Sequence, residues 1–257
     1  MSPRKAATPP AKKHTPRRSV LSDEIYDMIK NMIMSHEIQP GVRVNIDALA
    51  QQLDVSQTPI REALASLESD GLITKEPLKG YRATKLLTMK ELNDLFQFRL
   101  LIEPWAAEQA AKRIDSTGKS ALKAEMQIAK EAIKLAGHSQ LQALTEHDSR
   151  FHVMVSNFSG NGTVADFYER THCHLHLFRL YIAGEMNMID RDKGGEFVHE
   201  LFDQYYQSGS GQVAIKEHDV IAKAIINNDS KAARKAMNDH IQSSLNRFAS
   251  TAQAAQR

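Results

Sequence analysis

The chain of 257 residues is long enough for one large domain or two ordinary ones, and its 42% apolar and 25% charged residues exclude a disordered or fibrous chain. A single cysteine cannot form an internal disulfide, and the N-terminus lacks the apolar segment of a signal peptide. No stretch approaches the roughly 18 consecutive apolar residues of a membrane span. We therefore expect a soluble protein of the cytoplasm.

The formal net charge of +2 conceals an uneven distribution along the chain. Residues 1–18 contain four prolines, six basic residues and no acid, whereas the rest of the chain carries 27 basic and 31 acidic residues. A segment of this composition cannot bury enough apolar surface to offset the entropy of ordering. We predict a disordered basic tail over residues 1–18, which either solubilises the protein or adds nonspecific affinity for nucleic acid.

Three helices are predicted in the segment that follows the tail. Apolar residues spaced three and four apart form one stripe over residues 20–33. A second helix begins after Asn45, a favourable N-cap, and ends at the corner formed by residues 54–55. Ser56 can cap a third helix, which ends at Gly71. Two short helices joined by a tight corner are typical of a helix-turn-helix.

A β-hairpin is predicted directly after the third helix. Two short strand-like runs, residues 72–74 and 81–84, flank a turn segment with a basic tip. A hairpin in this position makes a winged helix, in which the third helix enters the major groove and the wing contacts the neighbouring DNA backbone or minor groove. We therefore predict that residues 19–86 form a DNA-binding domain of three helices and a hairpin.

The start of the third helix carries the side chains best suited to contact DNA. Arg61 can reach guanine or phosphate, and Gln57 can pair with adenine. Free backbone amides at a helix start also favour phosphate. The alternative is that Arg61 lies on an ordinary solvated helix face. The order of the elements favours DNA binding, with Ser56, Gln57, Thr58 and Arg61 as candidate contacts.

Residues 38–86 resemble the N-terminal domain of the GntR family of bacterial transcription regulators. The resemblance lies in IQPGVRV, LAQQLDVSQTPIREALASLESDGLI and KGYRAT. It implies that the start of the third helix and the wing-tip residue Gly80 contact DNA. The family often has arginine at the position of Gln57, and some members have an arginine near the position of Asp47, so we expect the operator contacts of this chain to differ from the commonest pattern. The complete predicted DNA-binding set is Ser56, Gln57, Thr58, Arg61, Lys79, Gly80 and Arg82.

The remainder of the chain is predicted to form an all-α, bundle-like domain. After a linker at residues 87–90, residues 91–249 show helical stripes and no convincing strand pattern. Glycines mark residues 187–211 as a loop, and residues 250–257 are predicted to be a C-terminal tail. The predicted fold class is therefore mainly α, a winged helix-turn-helix followed by an all-α ligand-binding domain. The helical stripes fall around residues 92–103, 122–133, 141–155, 167–182, 214–226 and 232–248.

Four ionisable residues fall on the apolar faces of these helices, where each is costly to bury unless it is satisfied. Asp148 and His152 lie one turn apart on the same face of one helix. His218 and His240 share faces with apolar residues of two later helices. A divalent metal satisfies one carboxylate and three imidazoles together. This ligand set suits zinc, and also nickel, manganese or iron.

Two alternatives to this metal site remain open. An isolated Asp/His pair is usually a surface hydrogen bond, and a lone histidine on an apolar face is usually a satisfied core residue. A competing cluster consists of His172, Cys173, His174 and His176. Neighbouring residues on a helix point about 100° apart, so these four side chains cannot converge on one ion. His172 and His176 lie one turn apart and could bind a metal as a pair.

Residues 91–249 resemble the FCD domain, the ligand-binding domain of the FadR-type branch of the GntR family. The resemblance lies in EHDSRFHVMVSNFSGN and EHDVIAKAIINNDSKAARKAMNDHI. It implies that Arg99, in RLLIEPWAAEQAA, faces the effector cavity. It also implies a metal held by an Asp-x-x-x-His pair and two later histidines. The corresponding residues are Asp148, His152, His218 and His240.

Together these features predict a homodimeric regulator, expected to be a repressor, that binds a palindromic operator in double-stranded DNA. A small carboxylate effector is expected to occupy an open metal position and pair with Arg99, with Arg179 as a second effector-binding candidate. One alternative is a metal-dependent enzyme, because three histidines and a carboxylate also form catalytic sites. That alternative gives the winged helix no role. The other alternative is a regulator with a purely structural metal.

Overall fold

The computed structural model describes residues 17–185 and 211–254, and within these ranges the chain forms ten helices and three short strands. The mainly α fold class is therefore confirmed. The N-terminal elements are α1 (Arg17–Met34), β1 (Arg43–Val44), α2 (Ile46–Gln52), α3 (Gln57–Ser69), β2 (Ile73–Glu76) and β3 (Gly80–Ala83). The C-terminal helices are α4 (Met89–Arg113), α5 (Ser116–Ala132), α6 (Gly137–Phe158), α7 (Gly162–Glu169), α8 (Cys173–Glu185), α9 (Gly211–Ile226) and α10 (Ser230–Ala254).

The N-terminal elements form a winged helix around one apolar core. Ile29 of α1 and Leu64 of α3 are completely buried in this core, where α1 packs across α3. Asn45 caps α2 as the sequence predicts, because its side chain accepts hydrogen bonds from the first backbone amides of the helix. Ser56 occupies the N-cap position of α3, but its hydroxyl makes no capping hydrogen bond.

The sheet has one strand more than the predicted hairpin. β1 pairs antiparallel with β3, which places Val44 opposite Tyr81 and gives the strand order β1-β3-β2. A strand of two residues is too short to produce a detectable alternation of apolar and polar positions. Arg43 of this strand lies beside the wing, which makes it an additional basic residue on this side of the domain.

The C-terminal helices form the predicted all-α domain. Thr88 and Glu91 form a capping box at the start of α4, so the helix begins at Met89, inside the predicted linker of residues 87–90. α4 packs against α6 and α10, and α5 packs against α6 and α9. The described part of the chain has no helix long and apolar enough to cross a membrane.

Three further predicted boundaries differ from the structure. The helix predicted over residues 167–182 is divided into α7 and α8, because His172 adopts a positive φ of 45° that interrupts the helix. α10 continues to Ala254, so the C-terminal tail predicted from residue 250 is helical up to that point. α1 begins at Arg17, inside the predicted basic tail. The rest of that tail, and the predicted loop apart from residue 211, lie outside the described residues.

Helix α8 of the C-terminal domain packs against the winged helix. The buried guanidinium of Arg179 donates to the side-chain oxygen of Thr84 at 2.5 Å and to its carbonyl oxygen at 2.6 Å. Nε2 of His36 donates to the carbonyl oxygen of Arg179 at 3.1 Å. Leu175, on the same helix, packs against the core of the winged helix. One helix of the C-terminal domain therefore holds the winged-helix domain through both polar and apolar contacts.

Candidate metal centre and nucleic-acid interface

The start of α3 presents an exposed polar face. Ile60 and Leu64 are completely buried on the opposite face, which anchors the helix to the core of the winged helix. The helix can therefore enter a DNA groove with its polar side chains outward without losing its packing. The exposed residues at its start are Ser56, Gln57, Thr58 and Arg61.

Gln57 is part of a small network at this face. Its amide nitrogen donates to the carboxylate of Asp47 on α2, and its amide oxygen accepts a hydrogen bond from Nη2 of Arg61 at 3.2 Å. This contact holds Arg61 beside Gln57 at the start of the helix. Asp47 and Gln57, the two residues where the sequence predicts unusual operator contacts, are thus partners of each other.

The wing brings together some of the other predicted DNA contacts. Lys79 is exposed at the tip, and Gly80 adopts a φ of +88°, a conformation that favours glycine. Arg82 is instead engaged by the side chain of Glu76 at 3.0 Å and by the carbonyl oxygen of Gly41. Arg43, which the sequence reasoning missed, places its guanidinium near Gly80.

The four predicted metal ligands converge in the interior of the C-terminal domain. Each offers one ligand atom, and these four atoms all lie within 4.8 Å of one another. Helix α6 supplies two of the side chains one turn apart, and α9 and α10 supply one each. The four buried residues are Asp148, His152, His218 and His240.

The spacing of these atoms fits a bound cation. Oδ1 of Asp148 lies 3.2 Å from Nε2 of His218 and 3.8 Å from Nε2 of His152. Nε2 of His218 lies 3.4 Å from Nε2 of His240. Ligands about 2.0–2.1 Å from a tetrahedral metal are about 3.3 Å apart. Oδ1 of Asp148 is also completely buried without a hydrogen bond among the described residues, so a cation would satisfy it.

The electrostatics of the cluster favour the forms that bind metals. Burial lowers the pKa of His152 to about 4 and lowers the pKa of His218 well below its usual value, with the neighbouring His240 adding to the effect on His218. Burial alone would raise the pKa of Asp148, but the neighbouring histidines, His174 first, hold it well below its usual range. Neutral imidazoles and an ionised carboxylate are the ligand forms that coordinate a divalent metal.

Two of the histidines contact carboxylates through the ring nitrogen that faces away from the cluster. Nδ1 of His152 contacts Glu103, and Nδ1 of His240 lies 2.7 Å from Glu217. A carboxylate on Nδ1 fixes the tautomer that leaves Nε2 free to coordinate, as is common for metal-binding histidines. Sequence reasoning assigned no role to these two glutamates, although Glu103 falls on the predicted buried stripe of α4.

Arg99 lies beside the cluster and is buried. Its Nε donates to Glu103, its Nη2 lies 3.3 Å from Nε2 of His152, and its Nη1 lies 3.6 Å from the sulfur of Cys173. Arg179 is not brought to this cluster, because its guanidinium is bonded to Thr84 in the winged-helix domain. Burial lowers the pKa of Arg179 to about 10.

The competing histidine cluster is not assembled as one site. His174 enters the metal region, where Nδ1 contacts Asp148 and Nε2 lies 2.9 Å from the hydroxyl of Tyr168. His172 instead lies against Gly71 of the winged-helix domain. His174 also lines a cavity of about 560 Å³ between α1, α6 and α8, together with Lys30 and Phe178. The cavity therefore lies between the two domains, and its lining residue His174 contacts Asp148.

Comparison with known proteins defines the class of protein. Residues 94–243 match the family described as FCD domain, and residues 21–82 match bacterial regulatory proteins of the gntR family. The chain belongs to the FCD family and carries a gntR-type DNA-binding domain. It is a transcription regulator and not an enzyme, so the enzyme alternative is wrong.

Individual relatives agree with this assignment. The chain is 27% identical over 157 residues to the uncharacterized HTH-type transcriptional regulator YdhC of Bacillus subtilis (strain 168), which is 61% of this chain and 69% of that protein. It is 23% identical over 222 residues to the HTH-type transcriptional repressor RspR of Escherichia coli (strain K12), which is 86% of each chain.

Solved structures share the fold. The structure of E. coli McbR/YncC aligns with a TM-score of 0.61 and 16% identity, over 90% of this chain and 98% of that one. A putative transcriptional regulator GntR from Rhodococcus sp. RHA1 aligns with a TM-score of 0.61 and 15% identity, over 89% of this chain and 97% of that one. At these identities the likeness shows the fold alone.

Proposed function

We propose that the protein is a cytoplasmic, homodimeric repressor whose operator affinity depends on a divalent metal, preferably Zn²⁺, and on a small carboxylate bound in the FCD domain. The observation that carries this proposal is the convergence of four ligand atoms within 4.8 Å in the buried core. Zn²⁺ favours three histidines and one carboxylate, and Ni²⁺, Mn²⁺ or Fe²⁺ are the alternatives. The proposed ligands are Asp148, His152, His218 and His240.

The surroundings of Arg99 support binding of a carboxylate. Its Nη1 and Nη2 atoms lie near a thiol and an imidazole, which are much weaker acceptors than a carboxylate. A small organic acid can therefore pair with these nitrogens beside an open coordination position of the metal. The metal would supply positive charge and that position, while Arg99 would orient the acid. Glu103 holds the guanidinium in place through Nε.

Helix α8 supports communication between this site and DNA. His174, near its start, contacts Asp148, and Arg179 on the same helix is bonded to Thr84 of the winged helix. An acid that is bound preferentially in one arrangement of α8 would shift the orientation of the DNA-binding domain. Two recognition helices of a dimer must lie about 34 Å apart on a palindromic operator, so a small reorientation changes operator affinity.

The proposed operator contacts are those of the exposed face of α3 and the wing. The repressor role is supported by the name of RspR, which aligns over most of both chains. The bond of Arg82 to Glu76 leaves this residue the least available of the set. The proposed contacts are Ser56, Gln57, Thr58, Arg61, Lys79, Gly80 and Arg82.

The proposed function is tested by operator binding under controlled metal and acid. Protein freed of metal with a chelator is titrated onto a duplex selected from a random pool, before and after addition of Zn²⁺ and a panel of small carboxylates. At least one acid is expected to change operator affinity by about 5- to 150-fold in the presence of metal, the usual range of allosteric coupling. Affinity unchanged by every acid across a broad panel would contradict the effector role.

A purely structural metal is the second candidate, because all four proposed ligands are buried. Thermal unfolding separates the two possibilities. A closed structural site is stabilised by the metal alone, whereas an open site is stabilised further when a carboxylate is added to the metal-loaded protein. Metal content measured on the purified protein identifies the ion in either case.

The variant Arg61→Ala is expected to weaken operator binding by about 10- to 100-fold. Arg61 is exposed on the proposed DNA-binding face and is oriented by Gln57, and a base-contacting arginine contributes about 1–3 kcal/mol. Fluorescence anisotropy with the selected duplex measures the change. Glu68→Ala, at the exposed far end of α3, serves as the control and keeps wild-type affinity. Equal affinities for the two variants would remove Arg61 from the interface.

A further inference from the structure

His147 precedes the proposed ligand Asp148 on α6, and its side chain is buried without joining the four ligand atoms. Nε2 of His147 lies 3.0 Å from Nδ1 of His218, and Nδ1 of His147 lies 2.8 Å from a carboxylate oxygen of Glu125 on α5. Both ring nitrogens of His147 are therefore engaged. His147 lies between a proposed ligand and a buried acid.

The directions of these hydrogen bonds follow from the chemistry of the groups. The ionised Glu125 can only accept, so Nδ1 of His147 carries the hydrogen. In the tautomer with its hydrogen on Nδ1, His147 accepts at Nε2, and Nδ1 of His218 is then the donor. This arrangement leaves Nε2 of His218 with its lone pair, and that atom lies 3.2 Å from Oδ1 of Asp148. This series of hydrogen bonds thus selects the Nδ1–H tautomer of His218, which is the one that can coordinate through Nε2 inside the cluster.

Glu125, at the far end of this series of hydrogen bonds, is also held in place. Arg150 donates from Nε to both oxygens of Glu125, at 3.1 and 3.2 Å, and its side chain reaches the surface. The ring of Phe151 stacks on His218 with centroids 4.2 Å apart and an angle of 13°. Stacking restrains the plane of the imidazole, and His147 restrains its rotation within that plane. His152 and His240 contact carboxylates directly, whereas His218 reaches Glu125 through a second histidine.

We propose that His147 and Glu125 are positioning residues for the metal centre. They hold His218 in its Nδ1–H tautomer, and they thereby raise the affinity of the cluster for a divalent cation. The proposal rests on the metal-binding part of the proposed function and assigns a role to two buried polar residues outside the ligand set. Loss of such an outer partner usually lowers metal affinity by about 10- to 100-fold.

The first test measures metal affinity in three variants by competition between the metal-free chain and a chromophoric chelator for Zn²⁺. His147→Phe, which removes both hydrogen bonds, is expected to bind Zn²⁺ about 10- to 100-fold more weakly than the unmodified chain. His147→Gln, whose amide oxygen can accept from Nδ1 of His218, is expected to recover most of the affinity. Glu131→Leu, an exposed change on α5, is the control and keeps wild-type affinity.

The second test reads the tautomer directly in the unmodified, metal-free chain. Long-range ¹H–¹⁵N NMR of the imidazoles is expected to show His218 with its hydrogen on Nδ1. This measurement needs no variant, so it remains decisive if His147→Phe does not fold. Glu125→Leu, which keeps the imidazole of His147, is expected to change the tautomer of His218.

The outcomes distinguish the two proposals. If the unmodified chain binds neither Zn²⁺ nor Co²⁺, both the metal centre and the positioning role are wrong. If it binds the metal and folded His147→Phe binds equally tightly, the positioning role alone is wrong. An Nε2–H tautomer of His218 in the metal-free chain would also overturn that role.

Discussion

Asp148→Asn is expected to lose the thermal stabilisation that a divalent metal gives the unmodified chain. The substitution keeps the shape of the side chain but removes the charge of the only acid among the four converging atoms of the described cluster. A metal present at a thousandfold excess over its Kd stabilises a folded chain by about 4 kcal/mol. For a chain of this size that corresponds to a rise in Tm of about 8–16 °C. Thermal unfolding with and without Zn²⁺ measures the difference.

The control for this prediction is the same change at an exposed aspartate. Asp239 lies next to the proposed ligand His240 but pairs with Lys235 at the surface, so Asp239→Asn is expected to retain the full rise in Tm. Direct titration should show Zn²⁺ affinity reduced by more than about 100-fold in Asp148→Asn, because loss of a ligand exceeds the usual effect of losing an outer partner. Comparable stabilisation of the two variants would exclude Asp148 as a ligand.

Arg179→Met is expected to uncouple operator affinity from the metal and its acid. Methionine fills similar apolar volume but cannot donate to Thr84, so the polar connection between α8 and the winged helix is lost. Metal affinity is expected to remain unchanged, because Arg179 lies outside the cluster. The effector-dependent change of about 5- to 150-fold in operator affinity is expected to fall below about threefold. Parallel titrations of Zn²⁺ and of the selected duplex measure both quantities.

Loss of these hydrogen bonds is also expected to lower stability. Each hydrogen bond to a charged group contributes about 1.5–3 kcal/mol to stability. Urea denaturation should therefore show that the free energy of unfolding falls by at least about 1.5 kcal/mol. Arg113→Met is the matched control, because Arg113 donates to the carbonyl of Ser159 entirely within the helical domain. Its regulation is expected to stay intact. If Arg179→Met responds to the acid as strongly as Arg113→Met does, then α8 does not transmit the signal through this contact.

Local patterns predicted much of the fold. The winged helix followed from capping residues, turns and apolar stripes, all of which depend on neighbours in the sequence. Asn45 caps α2 in the structure as predicted. The convergence of the four proposed ligands was accessible because an ionisable residue on a buried helical face needs a partner, and Asp148 and His152 share one face.

The remaining features depend on packing between distant segments. Arg179 was a second candidate for the effector, but its actual partner, Thr84, lies 95 positions away in the sequence and in the other domain. The contact of His218 with His147, and through it with Glu125, likewise depends on the packing of α5, α6 and α9 and could not be predicted from the sequence. Glu125 lies within the predicted apolar stripe of α5, and an acid in such a stripe is the signal that could have revealed it.

The close contact between Gly71, just after α3, and His172, just before α8, limits how the two domains can be exchanged between relatives. Gly71 has a φ of +69°, and a Cβ atom added there would lie 2.4 Å from the ring of His172. A chimera that grafts a different winged helix onto this FCD domain therefore needs glycine at the junction, together with a partner for Arg179. A bulkier residue at this position would displace the grafted winged helix from the interface with the helical domain, even when each domain folds correctly.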